Sequence, residues 1–218
     1  MNVGYDCFLF DLDGTLLDTL DDLWAAVNHA LTVCGFPLRT RDEVRRFIGN
    51  GVAKLVERAL GEGADRATNE RALALFKEYY GAHCQDRTRV YDGIIDVLTA
   101  LRTAGKRVGV VSNKAAFAVE ILCKAYFGDL VGVAIGENEA AGIRKKPAPD
   151  TVFAALQALG AEPSTAVYIG DSEVDLQTAK NAGLPCISVA WGMKDEQFLL
   201  QHGAKCLVRT PVELLQFL

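Results

Sequence analysis

The run Cys7-Phe8-Leu9-Phe10 passes directly into Asp11-Leu12-Asp13-Gly14-Thr15, and that junction constrains the chain more than any other feature. Four apolar residues in a row are too few for a helix and suit a central strand buried on both faces. The strand stops at an acidic turn. Asp11 and Asp13 stand at i and i+2, so an extended strand end directs both carboxylates to the same side, and Gly14 lets the chain turn sharply. One such carboxylate can attack a phosphorus while the other handles the proton of the leaving oxygen.

Similar apolar runs recur at Arg107 to Val111, Val131 to Ile135, Ala166 to Ile169 and Cys186 to Val189. Helical stretches separate most of them: Ile94 to Ala104, Lys114 to Ala125, Pro149 to Leu159 and Asp175 to Ala182. Strands alternating with helices predict an α/β fold, a Rossmann-like and mostly parallel sheet flanked by helices with right-handed crossovers. Residues 17–89 break the alternation. They hold no convincing strand but show helical periodicity over Leu20 to Cys34, Arg41 to Phe47, Val52 to Leu60 and Asn69 to Cys84. The expected organisation is an α/β core from 1–16 and 90–218, with an all-helical cap inserted at 17–89. Ligands of open α/β sheets bind at the carboxyl ends of the strands; an insertion at that end of the first strand reads as a lid.

Three more clusters fall at predicted strand ends. Ser112-Asn113-Lys114 follows the second strand; a hydroxyl and backbone amides at a helix N-terminus there would suit phosphate oxygens. Lys145-Lys146-Pro147 offers a cation to neutralise a phosphoryl group and an attacking carboxylate, and Lys146, next to the proline, is the better candidate of the two lysines. Gly170-Asp171-Ser172-Glu173-Val174-Asp175 follows the fourth strand, with Asp171 and Asp175 at i and i+4 pointing the same way. Carboxylate oxygens of this kind suit a hard cation such as Mg²⁺.

These four stretches, in this order, resemble the four motifs of the haloacid-dehalogenase superfamily, and the resemblance spans the whole chain, helical insertion included. It implies that Asp11 forms an aspartyl-phosphate and that Asp13 protonates the leaving group and then activates water. Ser112 and Lys146 would hold the phosphoryl oxygens, with Thr15 and Asn113 also on the substrate. Mg²⁺ would sit on Asp11, the main-chain oxygen of Asp13 and Asp171. Asp175 would assist the metal shell or pair with Lys146.

Within the superfamily the chain looks like the phosphoglycolate phosphatase branch, on the strength of Asp13-Gly14-Thr15-Leu16-Leu17-Asp18-Thr19 and of Phe47-Ile48-Gly49-Asn50-Gly51-Val52. Gly49, Asn50 and Gly51 are the candidate substrate-binding residues of the insertion; a plain interhelical turn accounts for them equally well. β-Phosphoglucomutase-like sequences usually carry valine in place of Thr15, and the true dehalogenases lack the second carboxylate. The expected substrate is a small phosphorylated metabolite, 2-phosphoglycolate first. A phosphatase or mutase of the same superfamily acting on sugar phosphates, nucleotides or pyrophosphate is the alternative, and a catalytically silent regulator that binds phosphometabolites is the alternative of another class.

The formal net charge of −5 leaves no electrostatic footprint for nucleic acid or an anionic membrane. No segment approaches the roughly 20 apolar residues of a membrane span, and the start of the chain lacks the pattern of a signal peptide. The six cysteines form no CxxC pair and read as small core residues in a reduced, cytoplasmic setting. Nothing in the sequence indicates an oligomeric state.

Overall fold

A computed structural model describes residues 4–138 and 142–218. The chain forms two compact units, one from the chain up to Leu17 and from Val90 onward, the other from Asp18–Arg89.

The larger unit is built on a six-stranded sheet. Its strands are β1 (Cys7–Phe10), β4 (Arg107–Ala115), β5 (Val133–Glu137), β6 (Ala166–Gly170), β7 (Cys186–Val189) and β8 (Leu207–Val208), in the order β5-β4-β1-β6-β7-β8. Every described pairing is parallel. All four residues of β1 are fully buried, as expected of a strand covered on both faces. Cys7 and Leu9 join one core cluster with Tyr168 of β6, with Val152, Ala155 and Leu156 of α7 (Asp150–Leu159), and with Ala179 and Ala182 of α8 (Glu173–Ala182). Helix α5 (Ile94–Thr103) buries Ile94, Val97, Leu98 and Leu101, an i, i+3, i+4, i+7 stripe.

From β1 the chain builds outward through β4 to β5, then returns to the other side of β1 as β6. Neighbours of β1 therefore lead away in opposite directions, which makes its carboxyl end the switch point where open α/β sheets bind ligands.

Two predicted features of this unit differ in the structure. The third strand is Val133–Glu137, two residues later than the apolar run Val131 to Ile135 suggests, because pairing with β4 sets the register: Gly109 lies opposite Val133 and Val111 opposite Ile135. Second, Ser112-Asn113-Lys114 is not a helix start. Strand β4 continues through an irregularity to Ala115, which pairs with Glu137, and α6 begins only at Ala116 (Ala116–Phe127) with no side-chain cap. Ser-Asn reads equally as a helix cap and as a polar strand end, and the partner strand decides.

The smaller unit contains α1 (Leu20–Cys34), α2 (Arg41–Phe47), α3 (Val52–Leu60) and α4 (Arg66–His83). Helix α4 starts three residues before its apolar period, because the Asp65 side chain accepts from the Thr68 N–H at 2.8 Å and caps it. Asp22, buried on α1, accepts hydrogen bonds from the main-chain N–H groups of Arg87 and Thr88 and from the Thr88 hydroxyl, which joins the two ends of the unit. Leu17–Asp18 (β2) and Arg89–Val90 (β3) pair as a two-stranded sheet where the chain leaves the α/β unit and returns to it. Among the described residues no helix is long and apolar enough to cross a membrane. All six cysteines are free thiols.

Phe10 is a fully buried aromatic side chain on the central strand, and truncating such a residue removes its transfer free energy and leaves a cavity. Phe10→Ala is expected to cost about 3–5 kcal/mol, read from urea unfolding. A cost below about 1 kcal/mol, in the range of surface substitutions, would contradict a both-face-buried β1.

Candidate active site

Three adjacent strands supply most of the candidate residues from their carboxyl ends: Asp11 and Asp13 beyond β1, Ser112 to Lys114 at the end of β4, and Asp171 beyond β6. Lys146 comes from the segment before α7. Its side chain is 3% exposed, and Nζ lies 2.8 Å from Asp11 Oδ1 and 2.8 Å from Asp175 Oδ1. Burial alone would lower this ammonium, but the charges of Asp11 and Asp175 outweigh burial and hold it well above its usual range. Lys145 is only half-buried, so of the two candidate lysines Lys146 is the one that meets Asp11.

Asp175 is held from several directions. Its Oδ2 accepts from the Ser172 N–H at 3.1 Å and from the Ser172 hydroxyl at 2.6 Å, a capping box at the start of α8. Its Oδ1 also accepts from the Tyr168 hydroxyl at 3.2 Å. Lys146 Nζ in turn donates to Tyr168 at 3.1 Å. Tyr168 escapes sequence reasoning; its one signal is a phenol inside an apolar strand, since a buried hydroxyl needs a partner.

Asp171 is 1% exposed. Its Oδ2 accepts from the Met193 N–H at 2.5 Å, and the Thr15 hydroxyl donates to Oδ1 at 3.4 Å. Thr15, expected on the substrate, thus faces a carboxylate of the site. Trp191 donates its indole N–H to the Thr15 carbonyl at 3.0 Å. Backbone approaches closely here. A Cβ on Gly14, whose φ is +87°, would lie 2.3 Å from Asp171 Oδ2, and one on Gly192 would lie 2.3 Å from the Gly14 carbonyl oxygen. Neither position tolerates a side chain without movement.

Asn113, also expected on the substrate, exchanges two hydrogen bonds with the main chain of Lys146: its Oδ1 accepts from the Lys146 N–H at 2.7 Å, and its Nδ2 donates to the Lys146 carbonyl at 3.0 Å. Ser112 is buried, and its Oγ accepts from the Lys114 N–H at 3.2 Å. Lys114 belongs to the predicted cluster but has no role of its own in the sequence reading, yet its Nζ lies 2.7 Å from Asp13 Oδ1.

Gly49, Asn50 and Gly51 belong to the helical unit. Gly49 and Gly51 have φ of +127° and +84°. Arg58 fastens the turn by donating to Asn50 Oδ1 and to the Phe47 carbonyl, both at 2.7 Å. These three residues are not among those that the α/β unit gathers at its own strand ends.

Asp11, Asp171 and Asp175 each offer an oxygen within 4.8 Å of the others, all buried. Three carboxylates against the single Lys146 ammonium leave an excess of buried negative charge, and burial together with their mutual repulsion raises Asp171 well above its ordinary value. An all-oxygen donor set with surplus negative charge fits a hard divalent cation. Asp11 is pushed from 3.8 up to about 7, by burial first and then by the charge of Asp175, with Lys146 opposing.

Between those two values the native protein keeps a proton that the unfolded chain has released, so this group's contribution to stability falls as pH rises toward 7. Asp150 acts in the opposite sense, but only below its ordinary 3.8, because its Arg144 partner holds it at about 2. Metal-stripped protein is therefore expected to gain thermal stability on acidification from about pH 7.5 to about pH 5, and Asp11→Asn to gain less. Melting curves in chelator at the two pH values check this; a wild-type Tm that falls over that window would refute the raised carboxyl.

Comparison with known proteins places this geometry. Residues 8–189 match the family model of haloacid dehalogenase-like hydrolases. A phosphoglycolate phosphatase of Pseudomonas putida is 37% identical over 190 residues, 84% of this chain and 69% of that protein. An N-acetylmuramic acid 6-phosphate phosphatase of Pseudomonas aeruginosa is 32% identical over 96% of this chain and 93% of its own. The crystal structure of a Lactobacillus delbrueckii protein assigned as a phosphoglycolate phosphatase superposes with a TM-score of 0.92 at 36% identity, covering 97% of each chain. The carboxylates at the end of β1, the bridging lysine and the acidic start of α8 are thus those of a member of the haloacid dehalogenase-like hydrolase family, to which this chain belongs.

Proposed function

We propose that the chain is a Mg²⁺-dependent phosphatase that hydrolyses 2-phosphoglycolate through an aspartyl-phosphate on Asp11. The observation that carries the chemistry is the buried Asp11 carboxylate held 2.8 Å from the Lys146 ammonium beside two further carboxylates. Asp11 Oδ attacks phosphorus, the bond from phosphorus to the leaving oxygen breaks, and that oxygen takes the proton of Asp13. Water then attacks the same phosphorus and gives its proton to Asp13, the phosphorus–Asp11 bond breaks, and inorganic phosphate leaves. Splitting one displacement into two lowers the barrier of each. Ser112 and Lys146 bind the phosphoryl oxygens. Asn113 places Lys146 through the main chain, and Thr15 and Met193 orient Asp171. Asp11, the main-chain oxygen of Asp13 and Asp171 would hold Mg²⁺, which when bound offsets the repulsion between the attacking carboxylate and the phosphoryl oxygens. The six free thiols suit a reducing compartment, and we assign the enzyme to the cytoplasm.

The substrate follows from the names carried by the relatives that are 34–37% identical over 84% of the chain. A second reading, N-acetylmuramic acid 6-phosphate, is favoured by a relative that matches 96% of this chain and 93% of its own length. Both compounds carry a carboxylate beside the phosphomonoester.

Two measurements test this. Asp11→Asn should abolish turnover while the protein stays folded, and Asp13→Asn should cost about 10²-fold or more. Activity should vanish in chelator and return with Mg²⁺, and return poorly with Ca²⁺, whose looser coordination misplaces the attacking carboxylate. Near-wild-type turnover by folded Asp11→Asn ends the proposal. For the substrate, kcat/KM should be highest on 2-phosphoglycolate among that compound, N-acetylmuramic acid 6-phosphate, hexose phosphates, nucleotides and pyrophosphate. If another member of the panel leads by about a factor of ten, a difference of about 1.4 kcal/mol in transition-state binding, the substrate assignment is wrong and the chemistry stands.

A further inference from the structure

An ammonium at the end of a four-carbon stem normally reaches for water. Lys114 does not: its side chain is 3% exposed, and Nζ ends 2.7 Å from Asp13 Oδ1, on a carboxylate that is itself 15% exposed. The pair arises from the sheet. Strands β1 and β4 are parallel neighbours with Phe10 opposite Val110, so Asp13, three residues beyond Phe10, and Lys114, four beyond Val110, emerge side by side. Cys123 of α6 faces both: burial pushes its thiol up to about 12, with the Asp13 charge adding and Lys114 opposing. The register of β4 shifts between Val111 and Ala115, so the contacts, and not strand alternation, show where the side chains of this segment go. Asn113 reaches the main chain of Lys146, while Lys114 reaches Asp13.

We propose that Lys114 is the positioning residue of Asp13: it holds Oδ1 so that the carboxyl group is already directed at the leaving oxygen when phosphorus is attacked. The proposal rests on the reading of Asp13 as the proton donor given above. An acid placed even about 1 Å from its productive position can lose a large share of its effect. Loss of Lys114 should therefore act on proton delivery and not on the attack by Asp11.

Leaving groups separate these two steps. An alkyl phosphate expels an alkoxide that needs the proton, whereas p-nitrophenyl phosphate expels a stable phenolate that does not. Lys114→Met, of similar length and without charge, is expected to lower kcat/KM about 10-fold or more on 2-phosphoglycolate and equally on glycerol phosphate, yet less than about 3-fold on p-nitrophenyl phosphate. In an Asp13→Asn background the same change should cost less than about 2-fold, because the group it positions is gone. Lys114→Gln serves as a second neutral variant should the methionine variant fail to fold, and Lys114→Arg should restore part of the alkyl phosphate activity.

A loss confined to substrates that carry a carboxylate would overturn the proposal by making Lys114 a substrate contact. An equal loss on p-nitrophenyl phosphate, or a loss undiminished in the Asp13→Asn background, would overturn it as well. If Asp13→Asn leaves alkyl phosphate turnover intact, the acid assignment of Asp13 falls, and the part given to Lys114 with it. A Lys114 effect that follows the expected pattern on glycerol phosphate, with no turnover of 2-phosphoglycolate, would sink the substrate reading alone.

Discussion

The α/β unit is organised around one buried ion group, Lys146 Nζ between Asp11 and Asp175 at 2.8 Å each. Removing these charges from water costs several kcal/mol per ion, which only close pairing and further hydrogen bonds can offset. Ser172, Tyr168 and Asn113 supply those bonds, which explains why polar side chains sit inside an otherwise apolar sheet end. The group is still not neutral. Carboxylates within 4.8 Å of one another repel by roughly 3–4 kcal/mol per pair at an effective dielectric of about 20. One ammonium cannot cancel three of them. The group therefore suits a further cation, and burial first, with this repulsion second, raises Asp11 and Asp171.

Topology decides who attends that group. Because β1 lies between β4 and β6, the acidic turn after β1 has a polar strand end on one side and the acidic helix start of α8 on the other. Lys146 enters in the passage from β5 back across to α7 and β6, the same crossing that creates the switch point. Close backbone approach then matters as much as charge. With Gly14 and Gly192 both packed on Asp171, the loops after β1 and β7 can close around that carboxylate, and the Met193 N–H reaches it. Nothing larger than hydrogen would allow this.

The local features were legible in the sequence. The apolar run before Asp11, the carboxylates at i and i+2 and the pair Asp171 and Asp175 are each written within a few residues, although the structure places Asp11 and Asp13 just beyond β1 and Asp171 just before the cap of α8. Lys146, chosen for its place beside the proline, lies 2.8 Å from Asp11. What escaped depends on contacts far apart in the chain. Asn113 meets Lys146 33 residues away, Lys114 meets Asp13 101 away, and Trp191 meets Thr15 176 away; no local pattern encodes such pairs. The segment at Ser112 shows the ambiguity most clearly. Ser-Asn-Lys after an apolar run reads equally as the start of a helix and as the end of a strand, and only the pairing of Ala115 with Glu137 decides it.

That one difference in secondary structure changes what the segment does. As a helix start it would present backbone amides to an anion, and its side chains would be incidental. As an irregular strand end it presents its side chains to two different partners, Asn113 to the lysine peptide and Lys114 to the Asp13 carboxylate. On the proposed mechanism, two charged groups that serve different stages of a phosphoryl transfer are then set by adjacent residues of one strand end. Groups placed by a strand inside a sheet hold their separation better than groups placed by independent loops. A reaction that moves a phosphoryl group onto one aspartate and a proton from another depends on that separation staying constant through both steps.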